Sequence, residues 1–211
     1  MIPWSVAQIS AAISGEPDLV DPASLVSAVV CDSRQVVPGS MFVAIPGDRV
    51  DGHSFAAEVI AAGAVVVLAE RPVGVPAIIV SNSVAALGEL AAAYVRSLPE
   101  ITVLALTGSS GKTTTKDMLA YILEPIAATV VPQGSYNSEV GLPLTILACN
   151  VDTRYLVLEM GMRGLGHIAY LCRIGAPQIG GLINVGSAHL GELGSREAIA
   201  EAKGEILAGL P

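Results

Sequence analysis

Short apolar runs alternate with stretches of helical period along most of the chain. Residues 25–31 (LVSAVVC), 40–47 (SMFVAIPG), 64–70 (AVVVLAE) and 76–81 (PAIIVS) are rich in β-branched residues and bounded by Gly, Pro or Ser, which predicts strands. Residues 53–64 and 84–98 carry apolar positions at helical spacing. At 96–100 (RSLPE) proline and charge interrupt both periods, which predicts a domain boundary and two domains, 1–98 and 99–211. A second series follows: strands over 101–107, 127–131, 154–160 and 179–185, helices over 112–123, 142–149, 165–174 and 195–209. Near-continuous apolar strands alternating with helices predict an α/β protein whose parallel sheet is covered on both faces. Ligands of such sheets bind beyond the carboxyl ends of the strands. The chain shows no internal repeat and no low-complexity tract.

Composition narrows the picture. The 211 residues are 52% hydrophobic and 14% charged, a globular composition with large buried sheets. No apolar run reaches the roughly 18 residues of a membrane span, and the N-terminus lacks the basic region of a signal peptide. A cytoplasmic protein with no membrane partner is expected. The net charge is −8 and the lysines are Lys112, Lys116 and Lys203, too few and too scattered for a nucleic-acid partner. Cys31, Cys149 and Cys172 are far apart and show no zinc spacing, so they read as small buried hydrophobes in a reducing compartment.

The chemistry concentrates after the run 101–107. Gly108, Ser109, Ser110, Gly111, Lys112 and Thr113 stand where a strand hands over to a helix. Glycines let the backbone approach a phosphate, and exposed N–H groups at a helix N-terminus form an anion site. Lys112 would reach the β- and γ-phosphates and the Thr113 hydroxyl would ligate Mg²⁺. Leu106 stands where the longer motif has its first glycine, so this is the shorter GxxGK[ST] form. The bland alternative is a glycine-rich turn with an exposed lysine. Thr114 and Thr115 then continue a poor helix start, which suits a crowded phosphate site better than a plain helix.

Three residues are expected to converge there. Glu159 ends a buried strand, where its carboxylate is placed to hold Mg²⁺; the alternative is a surface acid. His189, just past another strand, is a metal ligand or a polar rim residue. Lys203 lies within the apolar stripe Ile199, Ala202, Ile206 and Leu210. Burial would favour its neutral amine, which reacts with CO₂ to a carbamate, an anionic oxygen ligand. Periodicity alone favours the plainer reading, a lysine whose stem is buried and whose head is in water.

Several ordered motifs carry a resemblance. TGSSGKTTTKDM, GSYNSEVGLPLTIL, LEMGMRGLGHIAYL and INVGSAHLGELGSREAIAEAKGEI together resemble the Mur ligases of peptidoglycan synthesis, and CDSRQVVPGSMFVAIPGDRVDGHSFAAEVIAAGAVVVLAE resembles that family's UDP-sugar domain. The resemblance implies an N-terminal mixed α/β domain for a UDP-muramoyl peptide, then a P-loop parallel-sheet ATP-binding domain. It implies an ATP-dependent carbon–nitrogen ligase that joins D-Ala-D-Ala to UDP-N-acetylmuramoyl-tripeptide through an acyl phosphate. By the same resemblance Lys112 and the amides of 108–114 cradle ATP, and Thr113 and Glu159 hold one Mg²⁺. His189 and a carbamylated Lys203 hold a second, Asn137 contacts substrate or phosphate, and Ser33 and Arg34 lie near the uridine diphosphate. A monomer is expected.

Ser138 replaces the second Asn of the family's Asn-Asn-Glu motif. Arg163 and His167 receive no role, His167 reading as an ordinary helix N-terminal residue. The family's third domain and the end of its central domain fall outside these residues, so the chain reads as a truncated form expected not to ligate at a useful rate. The alternatives are a sibling that adds another amino acid, and a non-catalytic UDP-sugar or nucleotide module. A folate ligase lacks the UDP-sugar segment by family comparison. A motor or signalling NTPase would place an aspartate where Glu159 stands.

Overall fold

The computed structural model describes all residues except 135, 187 and 189. The chain forms two compact units, Met1–Leu90 and Ala91–Pro211.

The first unit runs β1 (Trp4–Ser5), α1 (Val6–Ala12), β2 (Glu16–Asp18), β3 (Leu25–Val26), β4 (Ala28–Val30), β5 (Ser40–Val43), α2 (Ala56–Ala61), β6 (Val66–Ala69) and β7 (Ala77–Ile79), and then enters α3 (Ser83–Arg96). The division between the units falls inside α3, and the 96–100 break is the end of that helix. The sheet order is β2-β7-β6-β5-β4, with only β2 antiparallel. Every residue of β5 and β6 is buried, as expected for parallel strands covered on both faces. Phe42, Val59 and Val67 anchor the core on one side.

Residues 25–31 are not one strand. β3 pairs antiparallel with β1, whereas β4 pairs parallel with β5. The chain changes sheets at Ser27, whose N–H donates to Gly39 O at 2.9 Å. An apolar run alone does not reveal where its partner strand changes. The helix predicted from 53 begins as a 3-10 turn, Gly52–Phe55, because the Asp51 side chain accepts from the His53 N–H and tightens the first turn. α1 starts with a capping box between Ser5 and Gln8.

The second unit continues with β8 (Thr102–Thr107), α4 (Lys112–Leu123), β9 (Thr129–Val130), α5 (Gly141–Leu147), β10 (Tyr155–Glu159), α6 (His167–Gly175), β11 (Ile179–Leu182), α7 (Leu190–Leu193) and α8 (Arg196–Ala208). Its sheet is fully parallel, in the order β11-β8-β10-β9. Register aligns Glu159 with Leu106, and Leu182 with Thr107. The carboxyl ends of the three longer strands therefore lie in one row, and the loops that follow them share one edge. Among the described residues no helix is long and apolar enough to cross a membrane.

Candidate active site

The loop after β8 is held in a definite shape. Gly111 adopts φ +80°, a conformation that side chains with a Cβ resist, and it opens α4 with no side-chain cap. Thr115 makes the first helical bond, to Gly111 O at 2.9 Å. The N–H groups of the α4 N-terminus therefore point out of the helix without intrahelical partners, which is the physical basis of an anion site. Lys112 Nζ folds back on the loop and donates to Gly108 O at 2.8 Å.

Asn184, just past β11, clasps this loop, and nothing in the sequence reading singled it out. Its Oδ1 accepts from the N–H groups of Ser109 and Ser110, each at 3.1 Å. Its Nδ2 donates to Ser110 O at 3.0 Å. The amides of 109 and 110 are thus occupied, which leaves those of the α4 N-terminus for a phosphate. A polar residue directly after an apolar strand at the carboxyl edge was the available signal. Asn184→Ala should loosen the loop and weaken ADP binding by about tenfold, with about 1–2 kcal/mol lost in stability; calorimetry and urea unfolding check both.

Glu159, at the end of β10, is 2% exposed. Its Oε2 accepts from Thr113 Oγ1 at 3.2 Å and its Oε1 from Asn137 Nδ2 at 2.8 Å. The structure thus brings Thr113, Asn137 and Glu159 together beside Lys112. Thr114 is exposed on the same turn. Lys116, one helical turn after Lys112, is buried and donates to Pro132 O at 3.1 Å, tying α4 to the segment after β9.

α8 packs against α6, β11 and β8. Ser195 caps it, accepting from Ala198 N at 3.1 Å. The predicted stripe holds over the helix: Ile199, Ala202 and Ile206 are fully buried and Lys203 among them is 2% exposed, whereas Leu210 lies past the end of α8 and is only partly buried. Burial pushes the Lys203 ammonium below the ordinary lysine range, and the positive charge of Lys112 pushes it the same way. Lys203 therefore lies within the electrostatic reach of the loop lysine. His189 lies outside the described residues.

Arg163 and His167 have partners. Glu139 Oε1 accepts from Arg163 Nη1 at 3.0 Å, and its Oε2 lies 3.2 Å from His167 Nε2. Burial works to raise the Glu139 carboxyl, but its own backbone N–H, Arg163 and His167 outweigh it and hold it low.

In the first unit Ser33 and Arg34 line a cleft of about 590 Å³ with Phe42, Ile45, Val50 and Gly52. Its size suits a nucleotide-sized ligand. Asp32 grips Arg34 through Nε at 2.9 Å and Nη2 at 2.6 Å, so the guanidinium is oriented at the rim. Arg34 in turn holds the Asp32 carboxyl down at about 2. The DGH segment is a structural hub. His53 is buried, with Nδ1 2.6 Å from Asp51 Oδ1 and Nε2 accepting the Glu70 N–H at 2.9 Å. The acceptor role of Nε2 puts the ring proton on Nδ1. Asp51 also accepts from Arg71. Cys31, also in the cleft wall, has its thiol pushed up to about 12 by burial, which disfavours the thiolate.

A parallel sheet with a glycine-rich loop, a lysine opening the next helix and a buried carboxylate on the neighbouring strand defines a P-loop α/β protein. Residues 106–211 match the Mur ligase middle domain, and residues 25–109 the catalytic domain of the Mur ligase family. The chain belongs to the Mur ligase family. It is 44% identical to the UDP-N-acetylmuramoyl-tripeptide–D-alanyl-D-alanine ligase of Mycobacterium tuberculosis strain H37Rv, over 100% of this chain and 47% of that protein. It superposes on a crystal structure of MurF from Acinetobacter baumannii with TM-score 0.93 and 37% identity, over 99% of this chain and 47% of the other. A MurF ligase from Thermotoga maritima, crystallised in complex with ADP, gives TM-score 0.79 and 42% identity over 87% of this chain and 43% of the other. The chain spans about half the length of the relatives it matches.

Proposed function

We propose that the chain carries the UDP-substrate and nucleotide portions of a cytoplasmic, ATP-dependent amide ligase, monomeric in solution, that joins D-Ala-D-Ala to UDP-N-acetylmuramoyl-tripeptide in peptidoglycan precursor synthesis. The observation that carries this reading is the convergence of Thr113, Asn137 and Glu159 beside Lys112 at one sheet edge, in a chain similar throughout to ligases of that name.

The chemistry asks for positioning and charge neutralisation more than for covalent protein groups. The tripeptide carboxylate attacks the γ-phosphorus and ADP leaves, which gives an acyl phosphate. The dipeptide amine then attacks the acyl carbon, and phosphate leaves from the tetrahedral intermediate. Lys112 would let go of Gly108 O and follow the β- and γ-phosphates, while Gly108, Ser109, Ser110 and Gly111 shape the loop. The amides of Gly111, Lys112, Thr113 and Thr114 would bind phosphate oxygens. Asn137 would orient Glu159 and meet the substrate side. Ser33 and Arg34 would receive the uridine diphosphate in the cleft of the first unit.

Thr113 and Glu159 offer a hydroxyl and a carboxylate, the hard oxygen donors that Mg²⁺ prefers, so the residues fit that ion. When bound, it neutralises charge developing on the phosphoryl oxygens. His189 and a carbamylated Lys203 would hold a second. A buried lysine with lowered basicity fits carbamylation: the neutral amine attacks CO₂ and loses one proton to give the carbamate.

Calorimetry tests the reading. UDP-N-acetylmuramoyl-tripeptide should bind at least about tenfold more tightly than the dipeptide precursor, and ADP should bind more tightly with Mg²⁺ than without. Equal affinity for the two precursors would point to a sibling ligase, and no binding of either would overturn the proposal.

A further inference from the structure

Glu139 stands two residues after Asn137, in the turn that leads into α5. Its carboxylate gathers groups from the other side of the β10 exit, Arg163 Nη1 at 3.0 Å and His167 Nε2 at 3.2 Å. His167 Nδ1 accepts the N–H of Arg163 at 3.0 Å, so Nδ1 is unprotonated and Nε2 carries the proton donated to Glu139. The start of α6, where His167 sits, is held in turn. Glu205 on α8 accepts from the N–H groups of Gly166 at 2.5 Å and Ala169 at 3.0 Å.

The turn is also closed on the strand exit itself. Gly161 N donates to Asn137 O at 2.8 Å. A Cβ at Gly161 would lie 3.0 Å from Asn137 Oδ1, and one at Gly141 would lie 2.6 Å from Tyr136 Cα. Neither the strand exit nor the helix start has slack. Hydrogen bonds and short backbone steps therefore link α8 to α6, α6 to Glu139, the turn to Asn137, Asn137 to Glu159 and Glu159 to Thr113.

We propose that Glu139 is a positioning residue for this edge: clamped by Arg163 and His167, it locks the 137–141 turn so that Asn137 holds one oxygen of Glu159 and leaves the other facing Thr113. The consequence for metal and nucleotide rests on the function proposed above; the clamp itself does not. Glu159 is almost fully buried, so without Asn137 one of its oxygens becomes an unpaired acceptor and the carboxylate has no fixed rotation. Partners of this kind, one step behind a ligand, set the ligand's orientation.

The test uses Glu139→Ala and Glu139→Gln in the protein, by titration with ADP in Mg²⁺ and in chelator, together with amide exchange in the ligand-free state. Glu139→Ala should lower the affinity for ADP in Mg²⁺ by about 10- to 100-fold and leave the affinity in chelator unchanged. Glu139→Gln, which keeps an acceptor for one partner, should recover most of the loss. Exchange should quicken over 137–141 and 161–163 in Glu139→Ala, with α4 and β8 unchanged. Equal loss with and without Mg²⁺, or unchanged exchange in these segments, would overturn the proposal. If the unsubstituted protein binds no ADP in Mg²⁺, the nucleotide reading falls, and the exchange comparison still decides the clamp.

Discussion

Replacing Lys112 by methionine should lower nucleotide affinity by about 10²- to 10³-fold and leave the fold intact. The ammonium is half-buried, and its hydrogen bond goes to a carbonyl of its own loop, Gly108 O at 2.8 Å. Losing that bond costs about 1 kcal/mol, whereas losing the cation leaves the phosphates facing only backbone amides. The α4 N-terminus retains some anion affinity of its own, so the residual binding measures the amide contribution. Because Lys112 helps to depress Lys203, the same change should also move Lys203 back toward the ordinary lysine range. ADP titration and thermal unfolding check the first two effects; an unchanged affinity would mean that Lys112 never leaves Gly108.

Lys203→Met should separate stability from function. Lys203 is 2% exposed in an apolar stripe, and burial with the charge of Lys112 disfavours its ammonium. Methionine has a similar length and no charge, so the substituted chain should be about 1–3 kcal/mol more stable at neutral pH. The sign of the pH dependence follows. The folded pKa lies below the ordinary lysine value of 10.5. Between the two values the unfolded chain binds more protons than the folded one, so stability rises with pH across that window and the penalty is full below it. Lys203→Met should lack that rise. Urea unfolding at neutral and alkaline pH in CO₂-free buffer measures it; a common slope for both proteins would refute the buried-charge account. Under the metal-ligand role proposed above for a carbamylated Lys203, the same substitution should also lower the affinity for ADP in Mg²⁺ and leave the affinity in chelator unchanged.

Periodicity made the central unit legible almost throughout. The apolar run before Gly108 is β8, and the predicted 112–123 helix coincides with α4, because a buried parallel strand and a helix opened by Gly111-Lys112 leave strong local signals. The Lys203 stripe was visible for the same reason: helical spacing shows which residues share a face. It did not show whether the lysine head reaches water, which depends on how α8 packs over β11, β8 and α6. The 25–31 run reads as one strand by its apolar pattern, yet it splits at Ser27, because the change of sheet there depends on β1 and β5, which are remote in sequence. Asn184 has no local signal beyond its place after an apolar strand, and Glu139 is visible only as the end of the Asn137-Ser138-Glu139 motif, because each acts on residues far along the chain, 75 positions away at Ser109 and 24 at Arg163.

The chemistry of the site was written in the chain itself: a glycine-rich loop with its lysine, a carboxylate ending an apolar strand, and a lysine inside an apolar stripe. Those features are local, and local spacing dictates strand, loop and helix. Which groups meet was decided only when three parallel strands aligned their carboxyl ends, placing Thr113 within 3.2 Å of Glu159. Hydrogen bonds reach about 3 Å, and no rule of spacing brings residues 46 positions apart to that distance without the sheet between them.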